Sequence, residues 1–356
     1  MRAVITDGKS TSTFWRADAT EVLIPSADRV VPPCPWAGPG RCGGCDFQHV
    51  SLGAQRALKA VVVREQLQRL AGIERDVEVE EVPGAPDGLG WRTRVQYAVD
   101  AAGRAGLRRH RSHEVVPVDW CRIAHPLVVG TGVTDRPWPG VTSVEVSASV
   151  AEGEALVLPD GRGAGALTEV VGDRSFRVTG GGFWQVHPGA AATLLGAVLD
   201  GLDPRAGETA LDLYAGVGLF AASIADLVGV TGRVTAVESD RVAAEDARHN
   251  LAHLPMVKVE RGRVDHVLRR PHLQRADLLV LDPPRSGAGR SVVSLLSRVR
   301  ARRIVYVACD PAALARDLRW FAERDYRLTS LRAFDMFPMT AHVEGVAVLE
   351  PAGKVS

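Results

Sequence analysis

The run LDLYAGVGLFAASIADLVG, residues 211–229, decides the fold. Leu211 and Leu213 flank Asp212 and lead into Gly216 and Gly218, after which LFAASIADLV carries apolar residues at helical spacing. A buried strand, a tight glycine turn and a helix form a corner where backbone can come close to a ligand. A lone GxG pair is weak evidence, because many strand–helix corners need glycine. The third glycine of a dinucleotide fingerprint is missing, with Ala221 and Ala222 following instead. The distance from these glycines to the next acidic strand end still fits a dinucleotide site as well as a nucleoside site.

That acidic end is Glu238 in VTAVESD, residues 234–240, where a carboxylate can accept both hydroxyls of a ribose. Further out, LLVLDPPRSGAGR, residues 278–290, ends an apolar run in Asp282, Pro283, Pro284 and Arg285. The paired prolines fix φ and remove two donors, so carbonyls and a carboxylate face the cleft. A glycine loop, an acidic strand end and this proline corner together mark a class I S-adenosylmethionine methyltransferase. Enzymes that methylate amino groups put an aromatic residue after the prolines; here the position holds Arg285, which favours methylation at carbon. Carbon methylation needs a nucleophile. In IVYVACDPAALARDLRWF, residues 304–321, Cys309 sits between an apolar strand and a helix, where ligands bind in open α/β sheets and where the helix dipole favours a thiolate.

The chain resembles the RNA 5-methyluridine methyltransferases, specifically the iron–sulfur branch whose best-studied members modify 23S ribosomal RNA. The resemblance spans residues 34–350 and rests on CPWAGPGRCGGCDFQH, the later Cys121, GGFWQVHPGAA, LDLYAGVG, AVESD, LDPPRSGAG, YVACDPAALARDL and DMFPMTAHVEG, in that order. It implies that Cys309 is the nucleophile and Glu344 the base that removes a proton. Gln185, Tyr214, Glu238 and Asp282 resemble the positions that contact S-adenosylmethionine. The chemistry requires such residues: a thiolate added to C6 of uracil makes C5 nucleophilic, and a base must then remove the C5 proton before the thiolate leaves. Read without the resemblance, Glu344 in VEGVAVLE is equally a solvated glutamate near a strand edge.

Four cysteines form a second constellation. Cys34, Cys42 and Cys45 follow the spacing C-x7-C-x2-C, and Cys121 lies far downstream. Four thiolates suit either a [4Fe–4S] cluster or structural zinc. The compact three-plus-one arrangement is more natural for a cubane, and the resemblance implies one too. The loop between Cys34 and Cys42 is longer than in many relatives, with Gly38, Pro39 and Gly40 making it an easy place for extra residues.

Three departures bear on the resemblance. Leu219 stands where relatives carry asparagine, Arg263 where they carry an aspartate near the adenine, with Asp265 as a substitute, and Asp310 where many carry asparagine. A carboxylate at Asp310 pointing inward would raise the pKa of the neighbouring thiol. A different class of function therefore stays open, a catalytically weak iron–sulfur RNA-binding protein or chaperone. Within enzymes, transfer RNA uridine 54 and RNA 5-methylcytidine formation compete; the proline corner lacks the extra cysteine of the latter.

At 356 residues and 46% hydrophobic, the chain has material for two or three domains with ample core. It shows no signal peptide and no apolar run of membrane-spanning length, so a cytoplasmic, membrane-free monomer with reduced cysteines is expected. A net charge of +1 does not advertise RNA binding, which must come from local patches. One candidate is residues 91–116, an alternating hairpin turning at Gly103, with Arg92, Arg94, Arg104, Arg108, Arg109 and Arg111 against Asp100; an ordinary solvated sheet face is as good a reading. RVRARR at 298–303 reads as the polar end of a helix.

The expected plan has three parts. Residues 1–33, with strand-like RAVITD and ATEVLIP, resemble the last part of a TRAM domain. Residues 34–190 form a largely antiparallel α+β central domain carrying the iron–sulfur cluster, whose helix at 53–73 packs on the catalytic domain. Residues 191–356 form a Rossmann-like α/β methyltransferase domain.

Overall fold

The computed structural model describes residues 1–6, 9–10, 15–17 and 19–353. Short apolar runs with no polar face, such as Leu278–Leu281, are buried on both sides and become central strands of a mixed sheet. Its strands are β1 (Val79–Glu81), β2 (Thr209–Leu213), β3 (Arg233–Glu238), β4 (Val257–Arg261), β5 (Leu278–Leu281), β6 (Arg303–Ala308), β7 (Tyr326–Asp335) and β8 (Glu344–Pro351). Their order across the sheet is β4-β3-β2-β5-β6-β8-β7-β1. Strands β2 to β6 run parallel, while β8 lies antiparallel to both neighbours. The chain reverses its direction of strand addition between β2 and β5, so a crevice opens there at the carboxyl edge.

Two apolar layers cover the sheet. One holds α2 (Ala190–Leu202), α3 (Leu219–Val228) and α4 (Arg241–Asn250); the other holds α1 (Leu52–Gln66), α5 (Gly289–Val299) and α6 (Pro311–Ala322). The helix expected at 53–73 is α1, continued by a π-helical turn over Leu67–Ala71 and stopped by Gly72 in the left-handed region. It docks on the catalytic sheet through Lys59, fully buried, whose Nζ lies 2.5 Å from Asp335 Oδ1 and 3.1 Å from the Phe337 carbonyl.

A five-stranded antiparallel sheet follows α1 in the chain, ordered Glu154–Pro159, Ser143–Ser149, Arg94–Val99, Ala105–Arg108, Val115–Pro117. A hairpin of Ala166–Val171 and Arg174–Thr179 then reaches α4. Asn250 on α4 accepts from the Arg177 N–H and donates to the carbonyls of Arg177 and Val217, which ties the hairpin to the glycine turn. Near the amino terminus Arg2–Ile5 pairs antiparallel with Ala19–Ile24; Asp7, the last residue of the expected first strand, lies outside the described residues. Among the described residues no helix is long and apolar enough to cross a membrane.

Candidate active site at the carboxyl edge of the sheet

Strand β2 ends in a turn that few residue types can make. Tyr214 adopts φ 63°, Gly216 φ 54° and Gly218 φ 95°, and a Cβ on Gly218 would sit 2.7 Å from Leu251 Cδ1. Over Gly216 a Cβ would meet nothing within 4 Å, so the turn faces open space. Glu238 at the end of β3 is held beside it, accepting from the Gly216 N–H at 2.9 Å and the Asp240 N–H at 2.7 Å. Inside β2, Asp212 is buried; its Oδ2 accepts from the Ala221 N–H at 2.8 Å, and among the described residues its Oδ1 has no hydrogen-bond partner. Burial pushes its carboxyl up to about 7, opposed by the Ala221 bond and reinforced by Asp282 and Glu238.

A second group of candidate residues gathers two strands away, past β5. Ala308 pairs with Gly345 between antiparallel β6 and β8, so the next residue, Cys309, comes opposite Glu344. Burial pushes the Cys309 thiol up to about 11; Glu344 and Asp282 push the same way and Arg285 opposes them. Glu344 is 4% exposed on a strand paired on both sides, which removes the solvated-edge reading. Its carboxyl is raised well above the usual range by burial and by Asp282. Burial likewise pushes Asp282 up to about 7. Three acidic groups thus crowd one cleft whose only cation among these contacts is Arg285, and a cationic ligand would relieve them.

Two contributors had little sequence signal. His342 stands 3.3 Å from the Arg285 guanidinium, and burial lowers its pKa, leaving a neutral ring that can accept from that arginine. Its nearness to Glu344 in TAHVE was the available hint. Asp212 was visible only as an acid inside an apolar strand.

The remaining expected residues divide. Tyr214, pushed up to about 12 by burial and by Asp265, lies near Asp265, which Arg263 holds at 3.1 Å. Gln185 lines a separate cavity of about 230 Å3 with Thr93, Glu169 and Pro188, and among the described residues no hydrogen bond joins it to Glu238 or Asp282. Leu219 is the first residue of α3 and is buried. Asp310 corrects an expectation: it caps α6, its Oδ1 accepting from the Ala313 N–H at 2.7 Å, and it is not among the groups that raise the Cys309 thiol.

The arginine hairpin needs a correction too. Arg94 points inward, 9% exposed, with its guanidinium on the Gly182 carbonyl and 3.7 Å from Glu169. Arg104 is spent on Asp100 and Arg109 on Glu114, each at 2.9 Å.

Cys34, Cys42, Cys45 and Cys121 come into one neighbourhood as free thiols. Burial pushes Cys45 up to about 12, a Gln48 hydrogen bond opposes it, and Cys121, Cys42 and Cys34 all add to the rise. The close metal-ligating geometry expected of the four is not present: among the described residues no group of three or more His, Cys, Asp or Glu stands ready to hold a metal ion. Gly43 is required, since a Cβ there would lie 2.4 Å from His110 Cα. The segment just after Cys45 grips the loop before Glu344, with the Phe47 N–H on the Met339 carbonyl at 2.9 Å and Asp46 accepting from the Ala341 N–H at 3.1 Å.

A family model described as tRNA (Uracil-5-)-methyltransferase matches residues 268–351. An uncharacterized RNA methyltransferase of Streptomyces coelicolor is 52% identical, over 99% of this chain and 85% of its own. The 23S rRNA (uracil(1939)-C(5))-methyltransferase of Psychrobacter arcticus is 30% identical, over 98% and 81%. Among solved structures, the tRNA (uracil-54, C5)-methyltransferase of Pyrococcus abyssi, in complex with S-adenosyl-L-homocysteine, superposes with TM-score 0.72 at 23% identity, covering 97% of this chain and 92% of that one.

Proposed function

The chain belongs to the RNA (uracil-5-)-methyltransferase family, and from there we propose that it methylates C5 of one uridine in 23S ribosomal RNA through a covalent adduct of Cys309. The observation that carries this reading is the electrostatic nearness of Cys309 to Glu344 and Asp282, one residue beyond the last β6–β8 pair, Ala308 with Gly345, at the carboxyl edge of the sheet. S-adenosylmethionine supplies a methyl group on a sulfonium, a leaving group that departs as a neutral thioether. The open space over Gly216, the pinned Glu238 carboxylate and the unpartnered Asp212 Oδ1 suit such a ligand, with Tyr214, Glu238 and Asp282 as its contacts.

The Cys309 thiolate adds to C6 of uracil, forming an S–C6 bond and moving the C5–C6 π pair into an enolate. C5 then takes the methyl group, whose old bond breaks with its electron pair left on sulfur. Glu344 accepts the remaining C5 proton; the released pair restores the C5–C6 double bond and expels the thiolate. Arg285, lying between the acids and His342, steadies anionic charge in the cleft.

Cys34, Cys42, Cys45 and Cys121 are the residues that would hold a [4Fe–4S] cluster, since four free thiols in one neighbourhood are the donor set such a cluster takes. The experiment that tests the reaction uses two variants. Cys309→Ala abolishes methylation of RNA and keeps cofactor binding, whereas Glu344→Gln accumulates a denaturation-resistant conjugate with methylated RNA. Normal turnover by Cys309→Ala, or no conjugate with Glu344→Gln or with 5-fluorouridine RNA, sinks the mechanism. Mass spectrometry of RNA from a deletion strain identifies the modified molecule, and loss of methyl from transfer RNA replaces the ribosomal target.

A further inference from the structure

The run RVRARR, residues 298–303, plays no part in this chemistry, and its arginines split into two pairs. Arg302 and Arg303 serve the fold, with Nε atoms 2.5 Å from Glu208 and 3.2 Å from Glu350. Arg298 and Arg300 do not: among the described residues their side chains have no hydrogen-bond or ion-pair partner, and the same holds for Arg269 and Arg275. These four exposed arginines line one concavity of about 920 Å3.

The concavity lies at the amino edge of the sheet, where Thr209 opens β2 and Asp277 precedes β5. It is therefore about 16 Å, the length of a five-residue strand, from the glycine turn. Asp277 is its one carboxylate, and Oδ2 of that group already accepts from the Thr209 N–H at 2.8 Å. Arg300 holds φ 59° at the end of α5, a position that glycine usually takes, so a charged side chain is kept there against a backbone preference. Such a cluster stands out in a chain of formal charge +1.

The chemistry of the lining selects a ligand class. Guanidinium forks match phosphate oxygens. Besides Asp277 and Gln274 the other lining residues are aliphatic or small, with no aromatic ring to stack a base, so the surface fits a phosphate backbone. We propose that this concavity grips the phosphate backbone of substrate RNA beyond the segment that enters the Cys309 cleft. The proposal rests on the reading of RNA as substrate.

The test is a salt titration of binding to a mixed-sequence RNA duplex two turns long, comparing wild-type protein with the fourfold variant R269Q, R275Q, R298Q, R300Q. Releasing counterions from four phosphates of a duplex contributes about 3.6 to the slope of log affinity against log salt, so the variant slope falls by about that much and affinity at low salt drops about tenfold or more. The corresponding fourfold lysine variant keeps the slope, because charge rather than fork geometry sets it. An unchanged slope in the glutamine variant, with the melting temperature also unchanged, overturns the proposal. So does equal weakening by the glutamine and lysine variants. Methyl transfer to total RNA is followed in parallel: its absence in the wild type, with the slope difference intact, overturns the proposed reaction and leaves the surface standing.

Discussion

As the proposed nucleophile, Cys309 meets two opposing demands: it must be protected from water yet become a thiolate. Its pKa, pushed up to about 11, comes first from burial and then from Glu344 and Asp282. A thiol whose pKa lies above the working pH gains thiolate tenfold per pH unit, so the sign is positive. Conjugation to 5-fluorouridine RNA, measured as a rate without saturating cofactor, should rise about tenfold per unit between pH 7 and 9. A flat profile there would show that the thiolate is already formed. Asp212 tests the same burial through stability. Its folded pKa of about 7 lies above the unfolded carboxylate value, so its contribution is fully present at low pH and lost as pH rises from about 4 to 7. Asp212→Asn should therefore unfold at higher urea than wild type at pH 8, by roughly 4 kcal/mol, with the gap closing at pH 4. That Cys309 and Glu344 share one cleft with Asp282 was expected from the motifs they stand in. Arg94 was misread because composition marks a residue as basic but not which face of the strand it takes; here it turns toward Glu169.

Among elements, α1 was the most legible, an uninterrupted helical period ended by Gly72, while its anchor was not. Lys59 reads as one solvent-facing cation among several and is instead sealed against Asp335. Breaking one side of a buried ion pair strands the other charge. Lys59→Met should cost about 3–5 kcal/mol in chemical unfolding, whereas Lys59→Met with Asp335→Leu should recover most of that loss. Equal losses for single and double variants would show that the Phe337 carbonyl, not Asp335, is the partner that counts. The register between β6 and β8 was likewise invisible in sequence, since it depends on β8 inserting antiparallel between strands made earlier.

At the level of the whole molecule, the cysteine neighbourhood and the reaction centre touch through Asp46, Phe47 and the 339–341 loop. Anaerobically prepared protein should carry about four iron and four sulfide per chain. Stoichiometric zinc without sulfide would replace the cluster by a structural metal. Cys42→Ser should lose the iron and lower the unfolding temperature, with S-adenosylmethionine affinity changed less than about threefold, because the glycine turn belongs to a separate part of the sheet. The spacing of the four cysteines was legible; their contact with the catalytic loop, across nearly 300 residues of chain, was not.

The placement of β8 also sets a schedule for synthesis. Glu344 is the first residue of the last strand, which slots between β6 and β7. During synthesis the glycine turn and Cys309, the proposed nucleophile, are made before Glu344, the proposed base. On the proposed mechanism a nascent chain stopped before Glu344 has the thiol that captures uracil but no group to free the product, and a gap in the sheet where β8 belongs. Competence for turnover arrives with the closing strand, so the event that completes the fold also makes the enzyme able to release its RNA.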